Sequence, residues 1–412
     1  MSETEISSAA LDDSEHVSPE GRRFAATIVL GHALKHVYIS MLSSQLLPEI
    51  KTGMALSSAQ IGSLASVQQF SSWFSTMIAG YAGDRFTNKT GLLLGLSLAL
   101  VGISYFFLGI AGSYAMLLPA MLLVGFGPSI YHSPAIGALS RRFTSRRAFF
   151  ISMHGAGGSL GETLGPLIGA GLLAVLYWRH VLELSLFPAL IGAFVMWTLL
   201  KNGKATPGSH NSLREYFADF GSLLKIRSIQ MIYLTTAFRT VGQATATVFL
   251  PIYMRDDLHY SRLLVGIFIS MAQVVGIASQ PIMGQLTDRI GFKRVLVPAL
   301  TCLAVLLLLV PAADGKLQLA VVILLLGTFL FSLHSILIAA ATTIAGESMQ
   351  ATTVSLIYAA SFVGALSPTL AGVLGDAYGL KSTFIFAGVL VSFSAITLAM
   401  TQLPGSKSQR VT

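Results

Sequence analysis

The sequence predicts an all-α membrane protein of twelve transmembrane helices, arranged as two pseudo-symmetric six-helix bundles. Three observations lead to this prediction: the composition, the spacing of long apolar stretches and an internal repeat. Hydrophobic residues make up 53% of the 412 residues and charged residues only 11%, and the mean hydropathy is +0.72. Because soluble domains contain about 25% charged residues, the composition excludes a water-soluble protein.

Apolar stretches and short polar breaks alternate from residue 24 onward. A helix needs about 20 apolar residues to cross the hydrocarbon core of a bilayer. Stretches of that length cover residues 24–48, 57–83, 90–111, 114–140, 147–175, 179–201, 228–255, 261–287, 292–313, 316–346, 349–376 and 380–403. They predict an N-terminal bundle over 24–201 and a C-terminal bundle over 228–403, joined by a polar linker over 202–227.

Basic residues favour one orientation of these helices. With the N-terminus inside, eighteen of the 26 Lys and Arg fall in cytoplasmic segments and six in outer loops. The positive-inside rule then predicts a multi-pass protein of the inner (plasma) membrane with both termini cytoplasmic. Residues 1–23 are acidic and Ser-rich, which indicates a disordered cytoplasmic tail rather than a signal peptide. Residues 404–412 form a second cytoplasmic tail.

An internal repeat relates the two predicted bundles. Four sets of residues recur in sequence order at an offset of 202 to 204 positions. The pairs are Gly80, Asp84 and Arg85 with Gly284, Asp288 and Arg289; Pro48 with Pro251; Gly125 and His132 with Gly327 and His334; and Gly161, Gly165 and Gly169 with Gly364, Pro368 and Gly372. The order and the constant offset indicate duplication of a six-helix unit.

The repeated Gly-x-x-x-Asp-Arg loop after the second helix of each bundle resembles that of the major facilitator superfamily. Three stretches are similar to the fosmidomycin-resistance-type exporters within it: residues 31–34 with 56–62, 123–134 and 157–167. The exporters' first helix has His-x-x-Asn-Asp, whereas here Lys35 and His36 follow His32. Their fourth helix has a Glu after His-Pro and then an Arg, and this chain has neither.

The resemblance implies a secondary active transporter of a small organic compound, working by alternating access. Proton-coupled efflux is the first hypothesis; proton-coupled import of an organic anion and a non-transporting membrane sensor or scaffold stay open. No nucleophile and base pair or nucleotide-binding loop is present, so we expect neither an enzyme nor a cofactor. The expected partners are the substrate, protons and the lipid bilayer, with no nucleic acid, and the expected state is a monomer.

Ionisable residues inside the predicted helices are the candidates for function, because a charge at the bilayer centre costs about 2.5–3.5 kcal/mol. The resemblance implies that helices 1, 4, 7 and 10 line the central cavity. The candidate substrate-binding residues are His32, Lys35, His36, His132, Arg239 and His334, with Gln69 and Gln273 as polar lining. A cavity that contains basic side chains and few acidic ones favours an anionic or amphiphilic substrate. The alternatives are that Lys35 or Arg239 extends to the membrane surface or pairs with Glu162, and that the histidines bond to the backbone.

Glu162 and His154 are the candidates for proton coupling. Glu162 is the one carboxylate predicted at the centre of a span, where burial favours its protonated form, and His154 lies two turns earlier. The alternative is a structural ion pair or hydrogen bond between helices. His32 and His36 could share a metal ion, but without a Cys or acidic ligand beside them we expect no metal site.

Two further sets are candidates for conformational roles. Asp84 with Arg85 and Asp288 with Arg289 lie at helix ends, where they are expected to stabilise one conformation, the state closed to the cytoplasm being the less favoured choice. Gly161 and Gly165 belong to a smooth face that is expected to let a neighbouring helix approach or slide.

Overall fold

A computed structural model describes residues 18–143, 146–200, 221–313, 315–345 and 350–403. Most of the predicted N-terminal tail, all of the predicted C-terminal tail and most of the predicted linker lie outside the described residues. Within the described residues the chain is helical almost throughout, as the apolar stretches predict.

Twelve long helical segments are present among the described residues. They are α1 (Pro19–Gly53), α2 (Ser58–Arg85), α3 (Thr87–Ile110), α4 (Tyr114–Arg142), α5 (Arg147–Val175), α6 (Trp178–Leu200), α7 (Arg227–Asp256), α8 (Arg262–Ile290), α9 (Phe292–Ala312), α10 (Lys316–Ala345), α11 in two parts (Gln350–Ala365 and Ser367–Tyr378) and α12 (Lys381–Ala399). Ten are long and apolar enough to cross a membrane. The other two, α2 and α7, are 28 and 30 residues long but more polar.

The first helix begins earlier than the sequence predicts. The Ser18 side chain accepts a hydrogen bond of 3.0 Å from the Gly21 N–H, and Pro19 occupies the first helical position. A serine cap followed by proline is a strong start for a helix, because the serine oxygen accepts a free backbone N–H and proline has no N–H to leave unpaired. The predicted tail over 1–23 is therefore wrong for residues 19–23.

Helix packing repeats between the two halves. In the N-terminal half α1 packs on α5, α2 on α4 and α3 on α6; in the C-terminal half α7 packs on α11, α8 on α10 and α9 on α12. Across the halves α2 packs on α11 and α5 on α8. The packing therefore has the pseudo-symmetry that the internal repeat predicts.

Polar contacts between the halves cluster at the end of the bundle opposite both termini, called here the far end. Lys51 at the end of α1 lies 2.6 Å from Asp256 at the end of α7. The Asp376 carboxylate of α11 accepts the backbone N–H groups of Ser58 (2.7 Å) and Ala59 (2.8 Å), which begin α2. These bonds hold the two halves together at the far end.

The glycine face of α5 packs inside one half rather than between the halves. A Cβ at Gly161 would lie 2.8 Å from Cβ of His36, and one at Gly165 would lie 2.6 Å from the Val37 carbonyl oxygen, both on α1. Only glycine permits this approach of two backbones. The two glycines thus fix α1 against α5.

We expect Gly165→Ala to destabilise the protein by about 1–3 kcal/mol, because the added methyl group overpacks α1. Gly171→Ala is the matched control: it lies on the same helix and its Cβ would meet nothing within 4 Å. The thermal unfolding midpoint in detergent measures both. Equal midpoints for the two variants would contradict the close approach of α1 and α5.

Candidate functional site

A cavity of about 360 Å³ lies between the two halves. Helix α5 of the N-terminal half and helices α7, α8, α10 and α11 of the C-terminal half contribute to it. Its lining residues are Ser159, Glu162, Arg239, Gln243, Gln273, Ile277, Gln280, Phe331, His334 and Tyr358. The cavity therefore combines polar side chains from both halves, as a site for a small polar compound would.

Arg239 is the most deeply buried charge in this lining. Its side chain is 1% exposed. One guanidinium nitrogen, Nη2, donates to the Leu330 carbonyl of α10, and Nη1 donates to Oε1 of Gln243 at 2.8 Å. Nε has no hydrogen-bond partner. None of the ion pairs within 4.0 Å among the described residues involves Arg239, so its charge faces the cavity without a carboxylate partner.

Two of the other residues predicted to bind substrate also line the cavity. His334 lies beside Tyr358, with 5.1 Å between the ring centroids, and Gln273 lies on α8. Gln243 and Tyr358 are lining residues that the sequence analysis did not identify. The signal for Gln243 is its position one turn after Arg239, which lets the two side chains meet on one helix face; no comparable signal marks Tyr358.

A cluster of basic side chains lies beside the cavity, inside the N-terminal half. Helix α1 supplies His32, Lys35 and His36, and helix α4 supplies His132. The Lys35 ammonium donates to Nε2 of His132 at 2.6 Å, and Nε2 of His36 lies 3.1 Å from Nε2 of His32. Lys35 is 1% exposed and His32 3%. Lys35 does not extend to the membrane surface, which removes one of the alternatives for it.

Glu162 belongs to both the cluster and the cavity. Its carboxylate lies 3.0 Å from Nδ1 of His36, and 31% of its side chain is exposed. His154 stacks on His32 with 3.7 Å between ring centroids, and its carbonyl accepts from Nδ1 of His32 at 2.7 Å. Neither ring nitrogen of His154 has a hydrogen-bond partner. The glutamate therefore connects the cluster to the cavity, whereas His154 contacts the cluster through its ring face and its backbone carbonyl; the proton-coupling role of both residues stays a prediction.

The remaining predicted residues lie elsewhere. Gln69 on α2 is half-buried and is not one of the residues that line the cavity. Asp288 and Arg289 end α8 with exposed side chains. Asp84 and Arg85 end α2, and their side chains lie outside the described part of the structure. The conformational role of these four residues stays a prediction.

Three of the histidines lie close enough together to be compared with a metal site. One ligand atom each of His32, His36 and His132 lies within 4.8 Å of the others. Nε2 of His132 already bonds to the Lys35 ammonium at 2.6 Å. A positive charge beside the three imidazoles disfavours a second cation, so the cluster fits a lysine better than a metal ion.

Comparison with known proteins places the chain in a family. A family model described as Major Facilitator Superfamily matches residues 28–366 and, in a second match, residues 232–411. The chain belongs to this superfamily. This confirms the predicted family and fold class: the protein is a multi-pass membrane transporter, not an enzyme. The paired Gly-x-x-x-Asp-Arg loops and the internal repeat had indicated the same.

Relatives with described names are distant. The multidrug resistance protein MdtG of Yersinia enterocolitica is 26% identical over 78% of this chain and 79% of its own length. MdtG of Serratia proteamaculans is 27% identical over 61% of this chain and 62% of its own length. The fosmidomycin resistance protein of Escherichia coli is 29% identical over 34% of this chain and 35% of its own length. These matches support the predicted resemblance to such exporters.

Solved structures share the fold. A bacterial homolog of the human lysosomal transporter Spinster, inward-facing and unoccupied, matches with a TM-score of 0.75 at 14% identity, over 94% of this chain and 98% of its own. The nucleoside transporter NupG matches with a TM-score of 0.76 at 12% identity, over 91% and 98%. The superfamily member described here therefore has the same overall architecture as these transporters.

Proposed function

We propose that this superfamily member exports a small organic anion, or an amphiphile with an anionic group, across the plasma membrane in exchange for protons. The observation that carries the proposal is Arg239, a buried cation on the cavity wall that has no carboxylate of the described residues within ion-pair distance. A buried charge without a partner is costly. A carboxylate or phosphonate bound in the cavity would satisfy its free N–H groups with charge-assisted hydrogen bonds.

Glu162 supports the proton-coupled part of the proposal. It faces the same cavity as Arg239, and it comes from the other half of the protein. Substrate and proton would therefore bind at one interface between the halves, which alternating access exposes first to one side of the membrane and then to the other.

The contacts at the far end support a direction of opening. With both termini in the cytoplasm, as the basic residues favour, the far end faces the outside. The bonds of Lys51 and Asp376 across the halves then close the external side, and the cavity between the halves would receive its substrate from the cytoplasm.

Transport by the purified protein in lipid vesicles tests this function. We expect organic carboxylates or phosphonates to accumulate inside the vesicles against their concentration gradient when the interior is more acidic than the outside. The accumulated anion should be lost on addition of a protonophore. A panel of neutral compounds of similar size is the control. Accumulation of neutral compounds only would contradict the anionic substrate. Accumulation of the anion when the outside is the more acidic side would indicate a proton-coupled importer.

A further inference from the structure

The cavity between the halves contains two opposite charges that do not pair with one another. Glu162 lines it from α5 of the N-terminal half, and Arg239 lines it from α7 of the C-terminal half. None of the ion pairs within 4.0 Å among the described residues joins these two side chains. The two halves therefore present an anion and a cation to the same ligand.

The wall around Arg239 offers hydrogen-bond donors. Nη1 of Arg239 donates to Oε1 of Gln243 at 2.8 Å. A guanidinium group accepts no hydrogen bond, so the oxygen of the Gln243 amide must face it and the amide N–H groups are left for a ligand. Both residues line the cavity. Donors from two neighbouring side chains suit the oxygens of a carboxylate or phosphonate group.

The wall around Glu162 offers acceptors. Its carboxylate is 31% exposed and lies 3.0 Å from Nδ1 of His36, but that nitrogen has no hydrogen-bond partner among the described residues. The Lys35 ammonium bonds to His132 instead of to Glu162. Ser159 lies three residues before Glu162 on α5 and also lines the cavity, so both side chains share one helix face. Carboxylate and hydroxyl oxygens together suit an ammonium group.

A ligand with only a negative charge fits one wall of this cavity and not the other. Its anionic group would pair with Arg239 but would share a cavity of about 360 Å³ with the Glu162 carboxylate, and like charges repel one another. An ammonium group on the same ligand replaces this repulsion by attraction. Ligand cavities in proteins have volumes of about 300–1,000 Å³, so this one is near the lower limit and a small molecule can reach both walls.

We propose that the substrate is a small zwitterion, whose carboxylate or phosphonate group binds Arg239 and whose ammonium group binds Glu162. The inference rests on the proposed function, and it narrows the exported anion to one that also carries a positive charge. It is compatible with proton exchange, because a carboxylate can bind either a proton or an ammonium group. The bound zwitterion would connect α5 to α7, and so one half of the protein to the other.

Binding to the purified full-length protein in detergent tests the inference. The probes are 4-aminobutanoate and two analogues of similar size, pentanoate and 4-hydroxybutanoate, in which a methyl or a hydroxyl group replaces the ammonium group. We expect the dissociation constant of 4-aminobutanoate to be lower by about tenfold or more, because a bond between two charged groups is stronger than one to a neutral group. Aminoalkanoates with one methylene group fewer or more, each with its own analogues, cover other separations of the charges.

Two variants assign each charge of the ligand to its partner. In Glu162→Gln we expect the preference for 4-aminobutanoate over pentanoate to fall to about threefold or less, because specificity is a difference between two affinities and the carboxylate no longer contributes to it. In Arg239→Gln both ligands should bind more weakly by about tenfold or more. Glu183→Gln, at a carboxylate of α6 that does not line the cavity, is the matched control and should keep the preference. The unfolding midpoint shows whether each variant is folded.

The outcomes separate this inference from the proposed function. Equal affinity of the original protein for the aminoalkanoates and their analogues, at every chain length, would overturn the zwitterion but leave export of an anion standing. An unchanged preference in a folded Glu162→Gln would overturn it as well. If that variant does not fold, the comparison of analogues on the original protein decides. If the original protein neither binds nor transports any organic anion, the proposed function fails, and the inference fails with it.

Discussion

Replacement of Arg239 by Gln is expected to reduce transport of the organic anion by about 30-fold or more. Truncating one partner of a buried, hydrogen-bonded charge pair costs about 2–5 kcal/mol, which corresponds to this factor or a larger one. The glutamine side chain is shorter than that of arginine, so the substitution removes both the charge and the bond from Arg239 to the Leu330 carbonyl of α10. The unfolding midpoint therefore has to accompany the transport measurement.

Two variants make this experiment specific. Arg239→Lys keeps the positive charge but lacks the several N–H donors of the planar guanidinium group. We therefore expect its transport rate to lie between that of Arg239→Gln and that of the original protein. Lys316→Ala removes an exposed positive charge from the start of α10 in the same half and should change transport less than twofold. Initial rates in vesicles give the comparison, and the unfolding midpoint shows whether each variant is folded. Normal anion transport by a folded Arg239→Gln would rule out the guanidinium as the anion-binding group.

The architecture could be predicted from the sequence because it depends on two properties of the linear chain, the length of its apolar stretches and the spacing of its repeated residues. Stretch length sets the number of spans, and the constant offset between repeated residues such as Asp84 and Asp288 sets the division into halves. Arg239 and Glu162 were also found, because an ionisable residue inside an apolar stretch is costly and stands out. These properties need no knowledge of how any helix is rotated.

The arrangement of the site depends on rotation, and the sequence contains little information about it. Most of these helices are apolar all round, so periodicity does not tell which face meets the other half. The bond from Lys35 to His132 and the position of Gln69 away from the cavity both depend on that choice of face. For the same reason the sequence did not predict the role of Asp376, which caps α2 from more than 300 residues away. It also did not predict the role of Glu49, whose partners come from the other half.

Substitution of Glu49 by Gln is expected to shift the protein away from the conformation closed at the far end. The Glu49 carboxylate of α1 accepts Nε and Nη2 of Arg262 at 2.7 and 2.9 Å, and Nη2 of Arg255 at 3.1 Å. Both arginines belong to the C-terminal half. The Glu49 side chain is only 12% exposed. The variant therefore leaves the two arginine cations close together without the carboxylate that binds both.

The size of the shift follows from the exposure of the network. Loss of one partner from a fully buried pair costs about 3–5 kcal/mol. Because the Arg255 and Arg262 side chains are 27% and 39% exposed, solvent screens part of the charge and the cost is smaller. We expect about 1–2 kcal/mol, which changes the ratio of the two conformations about 5- to 30-fold.

Distances between spin labels at the far end measure this ratio. After Cys302→Ser, labels at Thr52→Cys and His259→Cys report on exposed positions in opposite halves. Glu49→Gln should convert a short distance into a mixture with a longer one, and added salt should produce part of the same change in the parent protein. The matched control is Glu20→Gln, because Glu20 pairs with Arg142 inside the N-terminal half. An unchanged short distance in Glu49→Gln, or equal lengthening in both variants, would mean that the Glu49 network does not close the far end. The contacts of Asp376 and Lys51 would then suffice to hold the two halves together.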